Sequence, residues 1–257
     1  MEISSNYTWK CKEKNRLNSP LLPSNIRGLI IGKSGCGKTT LLLNLLLRPN
    51  WLDYTTLKVF GKSLHQQDYK IIQKGFENGL SKFQISNLFK NQNKINDKPL
   101  EVIDNFISHG GVANGGIKAN FYNDSSAVPD PTELNDCEKN LIVLDDILLE
   151  KQSKAENFYC RGRHSNCDVI YISQSYFRLP RQTIRENTNF IILFPQDMKN
   201  VNHIYADHCT DIDINEFKDF CKSVWIKKYD FVTVDLTSSK YNGKYRKNLD
   251  HFYFPET

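Results

Sequence analysis

The chain reads Gly32-Lys33-Ser34-Gly35-Cys36-Gly37-Lys38-Thr39 near its amino end, and this stretch matches the pattern G-x-x-x-x-G-K-[ST] in full. Glycines let such a loop turn sharply, so that backbone N–H groups approach phosphate oxygens, and the positive end of the following helix faces the same anions. The flanks fit this pattern, because apolar Leu29–Ile31 predicts a buried strand and leucine-rich Thr39–Arg48 predicts a helix that stops before Pro49. The stretch therefore predicts a phosphate-binding loop between a strand and a helix.

Residues within this loop have separate expected roles. Lys38 is expected to act catalytically by reaching the β- and γ-phosphates, and Thr39 to bind Mg²⁺ through its hydroxyl. The expected nucleotide-binding residues are Gly32, Lys33, Ser34, Gly35, Cys36, Gly37, Lys38, Thr39 and Thr40. The predicted cofactors are ATP and Mg²⁺, and the alternative is a glycine-rich turn that binds no ligand.

Two aspartates follow the apolar run Leu141–Leu144. A carboxylate at the carboxyl end of a buried parallel strand lies beside the phosphate loop in this architecture. We therefore expect Asp145 to hold Mg²⁺ and Asp146 to polarise the attacking water. Adjacent buried acids are costly without a cation, which favours a metal here. The alternative is that one of the two caps the next helix.

Another predicted buried strand, Val169–Ile172, ends in polar residues. Because a nucleotide in such a sheet lies at the strand ends, Gln174 is expected to contact the γ-phosphate or the lytic water as a catalytic sensor. The alternative is that the Gln174 side chain hydrogen-bonds loop backbone.

Five arginines lie between positions 161 and 185. Arg163 and Arg161 are candidates for a cation that stabilises charge on the transferred phosphoryl group, supplied in ring-shaped ATPases by the neighbouring subunit. Arg178, Arg181 and Arg185 are expected to contact DNA phosphate or a neighbouring subunit. A solvated surface is the alternative for all five.

Apolar runs and helical periodicities alternate along the chain, which predicts an α/β fold with a mainly parallel sheet covered by helices on both faces. Further predicted strands are Leu57–Phe60 and Phe190–Phe194, further predicted helices lie in 67–90 and 153–163, and 91–131 reads mainly as loops. Val224–Ile226 and Phe231–Asp235 predict a short C-terminal β-hairpin. The predicted organisation is a basic lead-in at 1–24, a P-loop ATPase domain at 25–222, and a hairpin with a basic tail at 223–257.

Composition limits the class of protein. The chain has 257 residues, a net charge of +5, 39% hydrophobic and 25% charged residues, and a mean hydropathy of −0.52, which is typical of a soluble globular protein. Its longest apolar run, Leu41–Leu47, is far too short to span a membrane, and the first residues do not resemble a secretory signal. Seven scattered cysteines without a Cys-x-x-Cys pair predict reduced thiols in an intracellular compartment.

Several segments together resemble the FtsK/HerA superfamily of DNA-translocating ATPases, and most closely its viral genome-packaging branch of poxviruses, virophages and Maverick/Polinton elements. The core of the resemblance is Gly32–Thr39, Leu141–Asp146 and Val169–Gln174. Its more specific segments are Arg161–Asn166, Tyr171–Tyr176, Leu179-Pro180, Ile184-Arg185, Phe194–Asp197, Asn200 and Ile204-Tyr205. The resemblance spans roughly residues 25–210 and implies a P-loop NTPase domain of RecA/FtsK-like type.

This resemblance implies a homo-oligomeric ring that hydrolyses ATP to move double-stranded DNA, without reading its sequence, into a preformed capsid through a portal or vertex protein. Phosphate contacts from lysine and arginine suffice for such a grip. The basic residues of the tail could supply them or form a solvated surface: Lys222, Lys227, Lys228, Lys240, Lys244, Arg246 and Lys247. The implied location is the host cell, with association with the virion as a further expectation.

Two other function classes fit the same motifs. One is another P-loop enzyme, such as a helicase-like ATPase or a small-molecule kinase, in which Arg178–Arg185 would form a mobile lid over the acceptor. The other is a nucleotide-dependent switch that binds DNA or a partner without steady turnover.

Overall fold

The structure is a computed structural model that describes residues 17–91, 99–109 and 116–255. Within them the strands are β1 Arg27–Ile31, β2 Thr56–Gly61, β3 Lys118–Tyr122, β4 Asn140–Asp145, β5 Cys167–Ser173, β6 Phe190–Leu193, β7 Val232–Asp235, β8 Tyr245–Lys247 and β9 His251–Tyr253. The helices are α1 Lys38–Leu47, α2 Gln67–Glu77, α3 Lys82–Asn91, α4 Pro99–Ser108, α5 Ser153–Arg161, α6 Met198–His208 and α7 Ile214–Val224. Most of the predicted basic lead-in, up to position 16, lies outside the described residues.

All these strands form one sheet in the order β3-β2-β4-β5-β1-β6-β7-β8-β9. The first six strands of the chain are mutually parallel, and the last three are antiparallel. β1 lies beside β5, with Ile31 opposite Ser173, and β5 lies beside β4, with Ile172 opposite Asp145. The carboxyl ends of β1, β4 and β5 therefore meet at one edge of the sheet.

Two apolar layers cover the sheet. One face carries Leu29 and Tyr171 and packs against α5, α6 and α7, which contribute Phe158, Ile204 and Phe217. The other face, which includes Ile30, packs against α1, α2, α3 and α4. Adjacent residues of a strand point to opposite faces, so continuously apolar strands supply both layers. The predicted α/β class, mostly parallel sheet and helices on both faces are confirmed.

The C-terminal part differs from the sequence expectation in detail. Val224 ends helix α7, so the predicted strand at Val224–Ile226 is wrong. The antiparallel pairs are instead β6–β7, β7–β8 and β8–β9. These strands continue the same sheet, because β7 hydrogen-bonds along β6 and the apolar side chains of Val232 and Val234 enter the core. β7 confirms the predicted strand at Phe231–Asp235. β8 and β9 were not predicted, because strands of three residues each carry little apolar pattern of their own.

The region 91–131 is also more regular than predicted where it is described. It contains α4 and the edge strand β3, which pairs in parallel with β2. The β3 sequence Lys-Ala-Asn-Phe-Tyr has no fully buried residue. An edge strand of this kind lacks the apolar run by which the inner strands were recognised.

One cysteine departs from the expectation of reduced thiols throughout. Cys137 is disulfide-bonded, whereas Cys36, Cys160, Cys167, Cys209 and Cys221 carry reduced thiols. A disulfide requires two Cα atoms within a few ångströms, and spacing along the sequence does not reveal such proximity. The predicted intracellular location stays a prediction.

Candidate nucleotide-binding site

The loop between β1 and α1 is built on backbone that other residues would not tolerate. Gly35 and Gly37 have φ values of 72° and 102°, in the left-handed region that favours glycine. A Cβ on Gly32 would lie 2.8 Å from the Cβ of Phe194, so only glycine fits there. Gly37 also caps α1, and the free N–H groups of that helix end face the loop.

Lys38 closes the loop upon itself. Its Nζ donates hydrogen bonds of 2.7 Å to the carbonyl oxygen of Gly32 and 2.8 Å to that of Lys33. These bonds hold the ammonium group across the loop. A bound phosphate would replace the two carbonyl oxygens as the partner of the ammonium group.

At the end of β4, Asp145 is buried, with 5% of its surface exposed. The Tyr69 hydroxyl on α2 donates a 2.6 Å hydrogen bond to Oδ2 of Asp145. Burial raises the pKa of Asp145 and the Asp146 carboxylate acts in the same direction, while the Tyr69 hydrogen bond and the Lys38 charge act against them. Burial outweighs the two groups that favour ionisation, so the pKa of Asp145 lies above that of a free aspartate.

Asp146 has a left-handed backbone, with φ of 54°, and its N–H donates to the carbonyl oxygen of Ile172 in β5. Its Oδ2 accepts a 3.1 Å hydrogen bond from Nε2 of Gln174. The side chains at the ends of β4 and β5 therefore touch, as their predicted joint role requires. Gln174 bonds a carboxylate here, rather than the loop backbone of the alternative interpretation.

A cavity of about 810 Å³ joins these groups. It is lined by Lys38, Thr39, Asp145, Asp146 and Gln174, and also by Ser34, Gly35, Gly37 and Thr40 of the predicted binding set. Gly32, Lys33 and Cys36 of that set do not line it. Gly32 and Lys33 instead shape the loop by accepting hydrogen bonds from Lys38 at their carbonyl oxygens, and the Sγ of Cys36 lies next to Gly32.

Sequence reasoning missed several residues of this cavity. Ser63 and Gln66 line it from the segment that leads into α2, and Asp68 from the first turn of that helix. Tyr229 and Phe231 line it from the segment that leads into β7. Tyr69 lies behind the cavity. It was missed because its spacing in the sequence is that of any core-facing residue of an amphipathic helix. None of these positions belongs to a motif, because only the fold brings α2 and β7 to the phosphate loop.

The predicted trans-acting arginines lie elsewhere. Arg161 ends α5, and Arg163 lies in the turn Gly162–Ser165 that enters β5. Since the cavity lies at the far end of β5, the strand's seven residues put roughly 20 Å between them and the cavity. In this structure they do not line the cavity of their own chain, so their proposed role requires a neighbouring subunit.

The other basic residues that were expected to contact DNA phosphate differ in how exposed their side chains are. Arg185 is buried and its Nη2 lies 3.1 Å from Oδ2 of Asp207, so it is not available to DNA, whereas Arg178 and Arg181 are exposed. In the basic tail, Lys244 and Arg246 are buried in ion pairs with Asp211 and Asp235. These three cations stabilise the fold, which the count of basic residues did not reveal.

The donor set at the strand ends suits Mg²⁺. A threonine hydroxyl and two carboxylates are hard oxygen ligands, and Mg²⁺ is usually bound by one or two carboxylates together with substrate phosphates and water. Among the described residues no three His, Cys, Asp or Glu side chains converge as a complete metal cage. A shared site completed by a nucleotide is what these residues fit.

The fold is similar to that of a solved viral protein. Genome packaging NTPase B204 from Sulfolobus turreted icosahedral virus 2, in complex with AMPPCP, matches with a TM-score of 0.51 and 10% identity over 84% of this chain and 95% of that chain. Its complex with AMP matches with a TM-score of 0.51 and 9% identity over 88% and 98%. No family model and no curated protein matches the chain.

In the described part of the chain, no helix combines the length and apolar character that crossing a membrane demands. The likeness to B204 extends over most of both chains. The chain thus has the fold of a P-loop NTPase, shared with the viral genome packaging NTPase B204, and the predicted resemblance is confirmed at the level of the fold.

Proposed function

We propose that this chain is a Mg²⁺-dependent ATPase that drives double-stranded DNA into a viral capsid. The observation that carries the proposal is the shared cavity, in which Lys38 and Thr39 of the phosphate loop face Asp145, Asp146 and Gln174 at the strand ends. The likeness to B204, a genome packaging NTPase, supports the choice of this function over other P-loop chemistries.

The residues that bind the nucleotide or take part in hydrolysis have separate proposed tasks. Lys38 and the N–H groups at the start of α1 bind the phosphates, and Thr39 with Asp145 would hold Mg²⁺, which neutralises phosphate charge when bound. Tyr69 orients Asp145 through the 2.6 Å hydrogen bond. Asp146 accepts a hydrogen bond from the attacking water and takes up its proton. Gln174, which already donates a hydrogen bond to Asp146, positions that water.

Hydrolysis and its coupling to DNA can be tested together. We expect phosphate release from ATP to require Mg²⁺ and to rise several-fold when linear duplex DNA is added. Asp146→Asn should retain nucleotide binding and lose most of the hydrolysis, because the amide no longer accepts a proton from water. The matched control is Asp219→Asn, an exposed aspartate on α7, which should behave as wild type.

The outcomes separate the function classes. Turnover that is indifferent to DNA would count against a packaging motor and favour another P-loop enzyme, and phosphorylation of a small acceptor would identify a kinase. Nucleotide binding without any turnover, with or without DNA, would favour a nucleotide-dependent switch.

A ring with an arginine acting between subunits is part of the proposal. Arg163 lies a strand's length from the cavity of its own subunit, so it would act on the cavity of a neighbour. In a mixed ring, an Arg163→Ala subunit has an intact Asp146, and an adjacent Asp146→Asn subunit can supply the missing arginine. Mixing the two inactive variants should restore part of the activity. Absence of rescue at every mixing ratio would remove Arg163 from this role, and Arg161→Ala offers the same test for its neighbour.

A further inference from the structure

Tyr229 occupies an unusual position in the turn between α7 and β7. Its φ is 74°, a left-handed conformation that bulky residues rarely adopt and that persists only where the surroundings enforce it. A Cβ built on Gly37 would lie 3.1 Å from Cδ1 of the Tyr229 ring, so the ring lies against the phosphate loop. The ring nevertheless belongs to a residue that is 54% exposed and lines the nucleotide cavity.

The C-terminal strands hold this tyrosine in place. The next residue, Asp230, forms an ion pair with Lys247 of β8 at 3.0 Å and accepts a 3.2 Å hydrogen bond from Asn248. The N–H of Asn248 donates to the carbonyl oxygen of Phe231 at 2.8 Å, and the Phe231 ring packs on Phe194 with centroids 5.2 Å apart. The turn is thus fixed on both sides, although its central ring is exposed.

Space for a nucleoside continues from the phosphate loop toward α1. Beyond Thr40, the cavity is lined by Leu41 and Asn44 of that helix as well as by Tyr229 and Phe231. Leu41, Tyr229 and Phe231 offer apolar or aromatic surface, which suits a flat heterocycle better than a phosphate, whereas Lys38 supplies a cation for the phosphates.

We propose that Tyr229 stacks on the base of the nucleotide whose phosphates the loop binds, an inference that rests on the proposed nucleotide-binding function. Every nucleobase has a π-face, so such stacking gives affinity with little choice between bases. Tyr229 therefore favours the binding of nucleoside triphosphates over inorganic tripolyphosphate. The C-terminal strands contribute to this binding by fixing the turn that carries Tyr229.

The test compares ATP, GTP and inorganic tripolyphosphate, each with Mg²⁺, by measuring dissociation constants on the full chain. Tyr229→Leu, which removes the ring but keeps an apolar side chain, should weaken the binding of ATP and GTP by roughly 5- to 150-fold, the range for loss of base–aromatic stacking. Its affinity for tripolyphosphate should stay within about twofold of wild type, and Tyr229→Phe should retain affinity for all three.

A matched control is available on the same protein. Tyr241 is 49% exposed and has a lysine ammonium, that of Lys240, 4.6 Å from its ring centroid, much as Lys228 lies 4.8 Å from the ring of Tyr229. Tyr241 does not line the cavity, so Tyr241→Leu should bind all three ligands as wild type does.

Two results would overturn the inference while leaving the proposed function intact. One is an equal loss of ATP and tripolyphosphate affinity in Tyr229→Leu, which would mean that the ring only shapes the phosphate loop. The other is unchanged ATP affinity. If wild type binds none of the three ligands, the proposed function fails as well.

A second variant covers the case in which Tyr229→Leu does not fold. Tyr229→Trp keeps a ring that can stack, and the fluorescence that the new indole adds should be quenched by ATP and unaffected by tripolyphosphate. The same response to both ligands would contradict stacking on a base.

Discussion

At the residue scale, the decisive group is the Lys38 ammonium, which is held by two carbonyl oxygens of its own loop. Lys38→Ala removes the cation that faces the phosphates in a cavity partly shielded from water. We expect hydrolysis to fall by about 10²- to 10³-fold, the usual cost of losing one preorganised donor at a charged transition state. Phosphate release at saturating ATP measures it.

The control for this prediction is Lys70→Ala, an exposed lysine on α2 that does not line the cavity. It removes the same charge from the protein as a whole. Near-normal turnover in Lys38→Ala, or an equal loss in both variants, would contradict the assignment of Lys38 to the phosphates.

Tyr69 gives a prediction about pH. Its hydrogen bond favours the ionised form of Asp145, so Tyr69→Phe should raise the pKa of Asp145 above its already raised value. Because the carboxylate must be ionised to hold Mg²⁺, activity should fall off at a higher pH on the acidic side than in wild type. Rate profiles from about pH 5 to pH 9 at fixed Mg²⁺ would show the shift.

Tyr54→Phe is the matched control, because Tyr54 is also buried but donates to the carbonyl oxygen of Leu46 in α1. Its profile should keep the wild-type midpoint. Parallel profiles for Tyr69→Phe and wild type, differing only in height, would show that Tyr69 does not act through the ionisation of Asp145.

At the element scale, a buried ion pair ties the π-helical turn Arg181–Arg185 to α6. Arg185 and Asp207 both have side chains that are 6% exposed, and the Tyr176 hydroxyl also donates to Asp207. Burial lowers the pKa of the adjacent His208 to about 4, so that imidazole is neutral at pH 7. Arg185 is therefore the principal cation for Asp207.

Loss of this arginine should be costly. Arg185→Met leaves the carboxylate buried without its cation, and we expect the free energy of unfolding to fall by about 3–5 kcal/mol. Arg181→Ala, which removes an arginine that is 68% exposed and 3.8 Å from the same carboxylate, should cost less than about 1 kcal/mol. Urea unfolding measures both, and equal midpoints for the two variants would disprove the prediction.

At the scale of the whole molecule, the C-terminal strands complete the sheet. β7 covers the edge of β6, and Arg246 of β8 bonds Asp235 of β7 and also the carbonyl oxygen of Leu21 near the start of the described chain. One buried guanidinium thus joins Leu21, which precedes β1, to the C-terminal strands.

Deletion of residues 230–257 tests this dependence. It would bare the β6 edge and its apolar neighbours, so we expect a chain that aggregates and no longer unfolds cooperatively. Deletion of residues 254–257 alone, which follow β9, should leave thermal unfolding unchanged. A truncated chain that melts cooperatively and binds ATP would contradict this expectation and support the predicted division between an ATPase domain at 25–222 and a hairpin with a basic tail at 223–257.

Local sequence patterns are enough to predict the class of fold and the centre of the site. Glycine spacing, apolar runs and the acids at strand ends are local signals, and they were sufficient for the phosphate loop, for β1, β2, β4, β5 and β6, and for the meeting of Lys38 with Asp145, Asp146 and Gln174. Parallel strands explain this success, because their carboxyl ends must share one edge of the sheet.

Tertiary structure alone decided what depends on contacts between distant segments. Tyr69 reaches Asp145 across 76 positions of sequence, Tyr229 reaches Gly37 from the turn before β7, and Arg185 turns inward to Asp207 rather than outward to DNA. The physical reason is that a side chain's role follows from its burial and its partners, and a residue type at one position specifies neither until the chain has packed.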